Sequence, residues 1–306
     1  LLRWRLNSAR RPATPQGSWP PGCSLEDVGC LRRASPVLHG AVACRRGRLA
    51  SQNQTCQGSA LQPGGSSTVT IMCQSPAPIL IITGMHRSGT SVVAAALASA
   101  GLHVGSRLMP GGRGNPRGHF EDLDFVSLHE RILRANGIGT EGFTTATEIP
   151  VPPSLADEAV LLVEQRRLGQ TPWGWKDPRT TLFLEWWARL LPEARFLLLF
   201  RGPAEVIDSL FRRGDDTFSL NPGFALDVWS AYNRRIHDFQ RAYPDRCHLA
   251  AAETAVADPR SLVAAVRDRW GFPLGEPAGV ADPHLFRHRL DLSRRSLVAH
   301  GRPAAL

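Results

Sequence analysis

The chain has 306 residues, of which 42% are hydrophobic and 21% charged, and a formal net charge of +9. That length suits one large α/β domain or two smaller ones, and the composition excludes a wholly disordered or collagen-like chain. No apolar run reaches the about 20 residues of a membrane helix, so no membrane span is expected.

The charge by itself would suit a polyanion binder. Its distribution argues otherwise. Residues 1–75 hold 9 Arg and 2 acidic residues, whereas residues 76–306 hold 27 basic and 25 acidic ones. The body of the chain is almost neutral, so nucleic acid is not an expected partner. Lys176 is the only lysine, since the other cations are all Arg.

Residues 1–75 have no sustained helical or strand period and are rich in Pro, Gly, Ser, Gln and Arg. They are expected to be a disordered tail or an upstream extension, not a folded domain. A basic arm for RNA or a membrane surface is the sharper alternative, but interleaved aromatics and amphipathic spacing are missing. Cys23, Cys30, Cys44, Cys56 and Cys73 lie at long, irregular intervals without a C-x-x-C pair, which argues against zinc. No metal is expected anywhere in the chain. The remaining Cys247 is isolated and nothing requires an oxidising compartment, so the expected location is cytoplasmic.

The character changes at residue 78. Pro78 to Thr83 is a short continuous apolar run, as in a buried parallel strand. It leads into Gly84-Met85-His86-Arg87-Ser88-Gly89-Thr90-Ser91, and Val92 to Ala100 then reads as a helix stopped by Gly101. Strand, Gly-bracketed loop and helix form a phosphate cradle, because N–H groups and the dipole at a helix start attract an anion. Gly84 and Gly89 allow close approach, Arg87 adds charge, and Ser88, Thr90 and Ser91 add hydroxyls. The loop is not a Walker A motif, because Thr90-Ser91 and no Lys follow the Gly84-x-x-x-x-Gly89 spacing. His86 reads as structural.

Gly111 to Asp122 is a polar loop that could lie across an acceptor site, and Leu123 to Ala135 reads as the next helix. A carboxylate or imidazole at such a place can take an acceptor proton. Glu121 and His119 are the two candidates, although Glu121 and Asp122 also suit an ordinary first helical turn. Trp173-Gly174-Trp175-Lys176 reads as a short strand, Asp177-Pro178 as a turn or helix start, and Thr181 to Trp187 as a helix. Arg195 to Phe200 is a second buried strand, and a helix from Pro203 or Ala204 to Phe211 follows it. Arg201 thus stands at a strand's carboxyl end, where open α/β sheets bind ligands, and Ser209 lies two turns into the helix. Residues 222–241 and Asp258 to Trp270 read as amphipathic helices, and Cys247 to Ala252 as a strand. Arg287, Arg289, Arg294 and Arg295 make a basic terminal stretch.

The loop Gly84 to Ser91 resembles the 5′-phosphosulfate loop of sulfotransferases that use 3′-phosphoadenosine 5′-phosphosulfate. Arg201 to Ser209, with Arg and Ser eight positions apart, is similar to their 3′-phosphate motif. Trp175 to Arg179 resembles a motif of the bacterial sulfotransferase-like branch, and Arg87 stands where cytosolic members carry Lys. The R-K-G loop of the cytosolic branch is absent.

The resemblance covers about residues 76–275. It implies a three-layer α/β/α domain of P-loop nucleotide-binding type over 76–300, with a central parallel sheet. It also implies a donor bound by Gly84, Arg87, Ser88, Gly89, Thr90, Ser91, Arg201 and Ser209. Arg87 and Lys176 would stabilise charge on the transferring group. Arg179 would contact donor or acceptor, and Asp177 would orient one of these cations. The bacterial and tyrosylprotein branches favour Glu121 over His119 as base. The expected partners are the nucleotide and an acceptor, whether glycan, small metabolite, lipid head group or peptide. Two rivals stay open: a nucleotide-dependent phosphotransferase, and a nucleotide-binding partner without catalysis.

Overall fold

The computed structural model describes residues 77–112, 118–169, 171–214 and 216–278, together with the backbone of two short strands nearer the start. The chain divides into two compact units, Leu1–Cys73 and Gln74–Leu306. In the first, β1 (Thr55–Gln57) pairs antiparallel with β2 (Thr70–Met72). The rest of the expected tail, like the basic terminal stretch after residue 278, lies outside the described residues.

The second unit is an α/β domain. Its sheet contains β3 (Ile79–Gly84), β4 (Trp173–Lys176), β5 (Arg195–Phe200) and β6 (Cys247–Ala251), in the order β4-β3-β5-β6 and all parallel. Consecutive side chains on a strand point to opposite faces, and both faces here are apolar. Ile79, Ile81, Phe196 and Leu198 join one core, while Leu80, Ile82, Leu197 and Leu199 join the other. This explains why the sequence shows continuous apolar runs rather than alternation.

The first face is covered by α2 (Leu123–Ala135), α3 (Pro153–Arg167), α4 (Leu184–Leu190), α5 (Pro203–Arg213) and α7 (Pro222–Ala242). The second is covered by α1 (Thr90–Ser99), α8 (Ala252–Ala257) and α9 (Pro259–Trp270). A short α6 (Asp216–Leu220) precedes α7 and adds the buried ring of Phe218 to the first core. The three layers follow from burying both sheet faces.

Topology then singles out one end of the sheet. From β3 the chain goes to β4 on one side and to β5 on the other. Such a reversal opens a crevice at the carboxyl ends of the strands. Gly84 ends β3, Lys176 ends β4 and Arg201 follows β5 directly.

Several elements differ from expectation, among them α6 and α8, which the sequence reading did not foresee. The helix read over Thr181 to Trp187 is a 3-10 turn over Pro178–Phe183 followed by α4. The turn is pinned at its start, where the Asp177 side chain accepts from Arg179 N–H at 2.9 Å, and at Thr181, whose hydroxyl lies 2.9 Å from that of Thr83. Helix α3 was not read from sequence, although Pro153 at its first turn and Ala159, Leu162 and Val163 on its buried face carry the signal.

Candidate active site

The phosphate loop keeps a compact form. Arg87 and Gly89 both adopt positive φ, 67° and 77°, on either side of Ser88. Gly89 makes that conformation inexpensive just before α1, whereas Arg87 holds it at a cost of about 1–2 kcal/mol. Strain of this kind persists where surrounding contacts over-determine it. No side chain caps α1 and its first turn holds no acidic residue, so the helix start is suited to an anion. Ser88 and Thr90 are buried, and Ser91 Oγ donates to the His119 carbonyl at 3.2 Å.

The second motif folds onto this loop. Arg87 Nε donates to Ser209 Oγ at 2.8 Å. Arg201 Nη1 donates to the Arg87 carbonyl at 2.9 Å, and Glu253 lies 3.7 Å from Arg201 Nε. Trp229 Nε1 in turn holds the Arg201 carbonyl at 3.0 Å. Desolvation lowers the Arg201 pKa, with Glu253 and Glu205 opposing it, yet guanidinium remains charged. Arg87, Arg201 and Ser209 thus meet at one place.

Lys176 belongs to a separate, deeper cluster. Gly174 lets β4 approach β3, since a Cβ there would fall 1.7 Å from the Leu80 carbonyl oxygen. Two residues on, Lys176 is only 1% exposed and its Nζ meets Glu121 Oε1 at 2.6 Å. Glu121 Oε2 lies 3.5 Å from Arg179 Nη1, which also reaches Asp177 Oδ1 at 3.0 Å. Burial alone would lower the Arg179 pKa, but the charges of Asp177 and Glu121 outweigh it and raise it. Burial would likewise raise Asp177, but Arg179 and His129 hold it well below the ordinary carboxylate range. Buried charges survive only when paired in this way.

Glu121 is delivered by a strained turn. Phe120 has φ 54°, another left-handed non-glycine residue. The next two residues then serve different ends. Glu121 faces Lys176, while Asp122 caps α2 by accepting from Asp124 N–H at 3.0 Å and binds Arg166 at 2.8 Å. His119 is half-buried beside them. Desolvation lowers its pKa, with Glu121 opposing and Lys176 and Arg87 adding to the fall, so the imidazole is neutral near pH 7. The His86 ring has Nε2 2.9 Å from the Glu141 carbonyl oxygen and meets the Phe143 ring at 66° with centroids 5.2 Å apart.

The sequence-derived residues therefore form two groups. Gly84, Arg87, Ser88, Gly89, Thr90 and Ser91 form a loop rim onto which Arg201 and Ser209 fold, and Glu121 and Lys176 pair beside β4. His119 stands close to both, through Ser91 and through the charges that act on it. His129 was missed. It lies on the buried face of α2 between Leu128 and Ile132, with Nδ1 2.8 Å from Asp177 Oδ2. The available signal was a histidine inside an apolar helical stripe, which more often marks a satisfied core residue.

The family model described as "Sulfotransferase family" matches residues 78–276, from the first sheet strand to just beyond α9. The chain belongs to the sulfotransferase family. Among solved structures, it resembles a sulfotransferase domain from the olefin synthase of Synechococcus, with 22% identity and a TM-score of 0.44 over 76% of this chain and 90% of that one. A sulfotransferase from Mycobacterium tuberculosis aligns with 17% identity and a TM-score of 0.45, over 74% and 76% of the two chains. A sulfotransferase domain from the curacin biosynthetic pathway aligns with 17% identity and a TM-score of 0.39, over 69% and 77%. No curated protein matches the sequence significantly. Among the described residues of this sulfotransferase, no three His, Cys, Asp or Glu side chains are grouped to hold a metal. Among them, too, no helix is long and apolar enough to cross a membrane.

Proposed function

We propose that this sulfotransferase takes its sulfuryl group from 3′-phosphoadenosine 5′-phosphosulfate and delivers it to an acceptor hydroxyl or amine. The carrying observation is the meeting of the two phosphate motifs, with Arg87 Nε 2.8 Å from Ser209 Oγ across 122 residues of sequence. A donor with anionic groups at both its 5′ and 3′ ends needs two such sets of donors side by side. In this reading Gly84, Arg87, Ser88, Gly89, Thr90 and Ser91 hold the 5′-phosphosulfate. Arg201 and Ser209 hold the 3′-phosphate.

In the transfer, the bond from sulfur to the bridging phosphate oxygen breaks as a bond from the acceptor atom to sulfur forms. The acceptor proton passes to Glu121, and adenosine 3′,5′-bisphosphate leaves. Arg87 and Lys176 neutralise the charge developing on the bridging oxygen. Positioning and charge stabilisation are sufficient chemistry, so the reading uses no metal. His119 is the alternative base, and comparison of Glu121→Gln with His119→Gln separates the two. A cytoplasmic location belongs to the same proposal and is tested by fractionating expressing cells.

Calorimetry with adenosine 3′,5′-bisphosphate and AMP tests the donor. The expected result is much tighter binding of the bisphosphate, with Arg201→Ala removing the difference. Equal affinity for both nucleotides in the unaltered protein would sink the assignment of Arg201 and Ser209.

A further inference from the structure

Trp187, on α4, and His129, on α2, form the far end of a buried chain of hydrogen bonds that runs to Glu121. Trp187 Nε1 lies 3.0 Å from His129 Nε2. An indole N–H only donates, so His129 Nε2 accepts and the ring proton sits on Nδ1. Nδ1 then donates to Asp177 Oδ2 at 2.8 Å. The other Asp177 oxygen, Oδ1, accepts from Arg179 N–H at 2.9 Å and from Arg179 Nη1 at 3.0 Å. That same Nη1 lies 3.5 Å from Glu121 Oε2.

The imidazole has little freedom. It stacks on Phe183 with ring centroids 5.4 Å apart and meets Trp187 edge-on at 90°. Its exposure is 0%, as is that of Asp177. A core histidine needs only a partner for each nitrogen. Here one partner sets the tautomer, and the other is a carboxylate whose second oxygen holds the cation facing Glu121.

We propose that His129 is a positioning residue of sulfuryl transfer, acting through Asp177 and Arg179 on Glu121. The inference rests on the reading of Glu121 as the base. Glu121 has two cationic partners, Lys176 on Oε1 and Arg179 on Oε2. When Lys176 turns to the bridging oxygen of the donor, Arg179 is the partner that keeps Glu121 aimed at the acceptor. Arg179 can do so because Asp177 and the Thr140 carbonyl, 2.7 Å from its Nε, fix its guanidinium plane. Asp177 is in turn kept from rotating by His129.

The test uses the full chain, with water as acceptor, and follows release of sulfate from 3′-phosphoadenosine 5′-phosphosulfate. Adenosine 3′,5′-bisphosphate affinity is measured alongside. His129→Phe keeps the ring stack and removes both hydrogen bonds. It is expected to lower kcat about tenfold or more, since small misplacements of reacting groups cost that much. Donor KM and bisphosphate affinity are expected to stay within about twofold, because the donor rim is a separate group. His129→Asn, whose amide N–H can replace Nδ1–H toward Asp177, should recover most of the loss, and His129→Gln should not. In a Glu121→Gln background, His129→Phe should cost nothing further, because the path ends on Glu121.

Unchanged kcat in His129→Phe beside an inactive Glu121→Gln would overturn the role of His129 and leave the base standing. So would a loss additive with Glu121→Gln, or a parallel fall in bisphosphate affinity. Full turnover in Glu121→Gln would remove the base and the path with it. If His129→Phe does not fold, the Asn and Gln variants decide, and equal rates for the two would overturn the proposal.

Discussion

The rim around β3 and β5 and the cluster beside β4 both gather cations, but they hold them differently. At the rim Arg87 bonds a hydroxyl, and Arg201 bonds a backbone carbonyl with the part-exposed Glu253 carboxylate 3.7 Å away. In the cluster Lys176 and Arg179 face the carboxylates of Glu121 and Asp177. Lys176 and Asp177 are 1% and 0% exposed, where a charge without a counter-charge would be prohibitive, whereas Arg87 is only half-buried. In the proposed reading the rim is where the anionic donor binds. The cluster pairs its charges internally, and in the proposed reading it also supplies the base Glu121 and the cation Lys176. If that reading holds, donor binding and transfer should be separable by substitution.

The largest effect expected is on stability, in the cluster. Asp177→Ala removes the nearest carboxylate of Arg179 and strands the His129 N–H, and breaking a buried pair costs about 3–5 kcal/mol, to be read from urea unfolding. A loss below about 1 kcal/mol would mean that water replaces the carboxylate and the contrast with the rim is false. Next comes Arg201→Ala. It should weaken adenosine 3′,5′-bisphosphate by about 1.5–3 kcal/mol, the worth of charge-assisted bonds, while stability moves little. Gly89→Ala should be milder. A φ of 77° costs an L-residue about 1–2 kcal/mol, and unfolding should show that loss together with weaker nucleotide binding.

The smallest effect is one of pH. Desolvation, followed by the charges of Arg179 and Arg213, holds the His86 pKa well below the ordinary 6.5, with Asp177 opposing. The folded state therefore keeps His86 neutral while the unfolded chain takes up a proton as pH falls below about 6.5. Its contribution is complete above that value and is lost on acidification. The urea midpoint should fall between about pH 7 and about pH 5, and His86→Gln should reduce that slope without abolishing it, because burial lowers His119 and His248 as well. Asp177, also depressed, has the same sign but in a lower window. Its contribution is complete above the ordinary carboxylate pKa of about 4, so it adds nothing to the slope near neutrality.

How much of this was legible in the sequence depends on distance along the chain. The loop from Gly84 to Ser91 is a run of consecutive residues between a strand and a helix, so its chemistry can be read locally. The strands could be read as well, because a sheet buried on both faces demands unbroken apolar runs such as Ile79–Ile82 and Phe196–Leu199. Helix α3 escaped because its apolar side is narrow, with Val160 and Leu161 exposed among its polar residues.

The sequence by itself determined the parallel α/β domain and the Gly84–Ser91 loop between its first strand and helix, since each is a local pattern of spacing and residue type. Only the tertiary structure decided that Arg87 meets Ser209 and that Glu121 is shared by Lys176 and Arg179. It alone brought His129 onto Asp177, 48 residues away. The physical reason is that a buried charge is neutralised by whatever the fold brings within about 3 Å, and such partners leave no periodic trace along the chain.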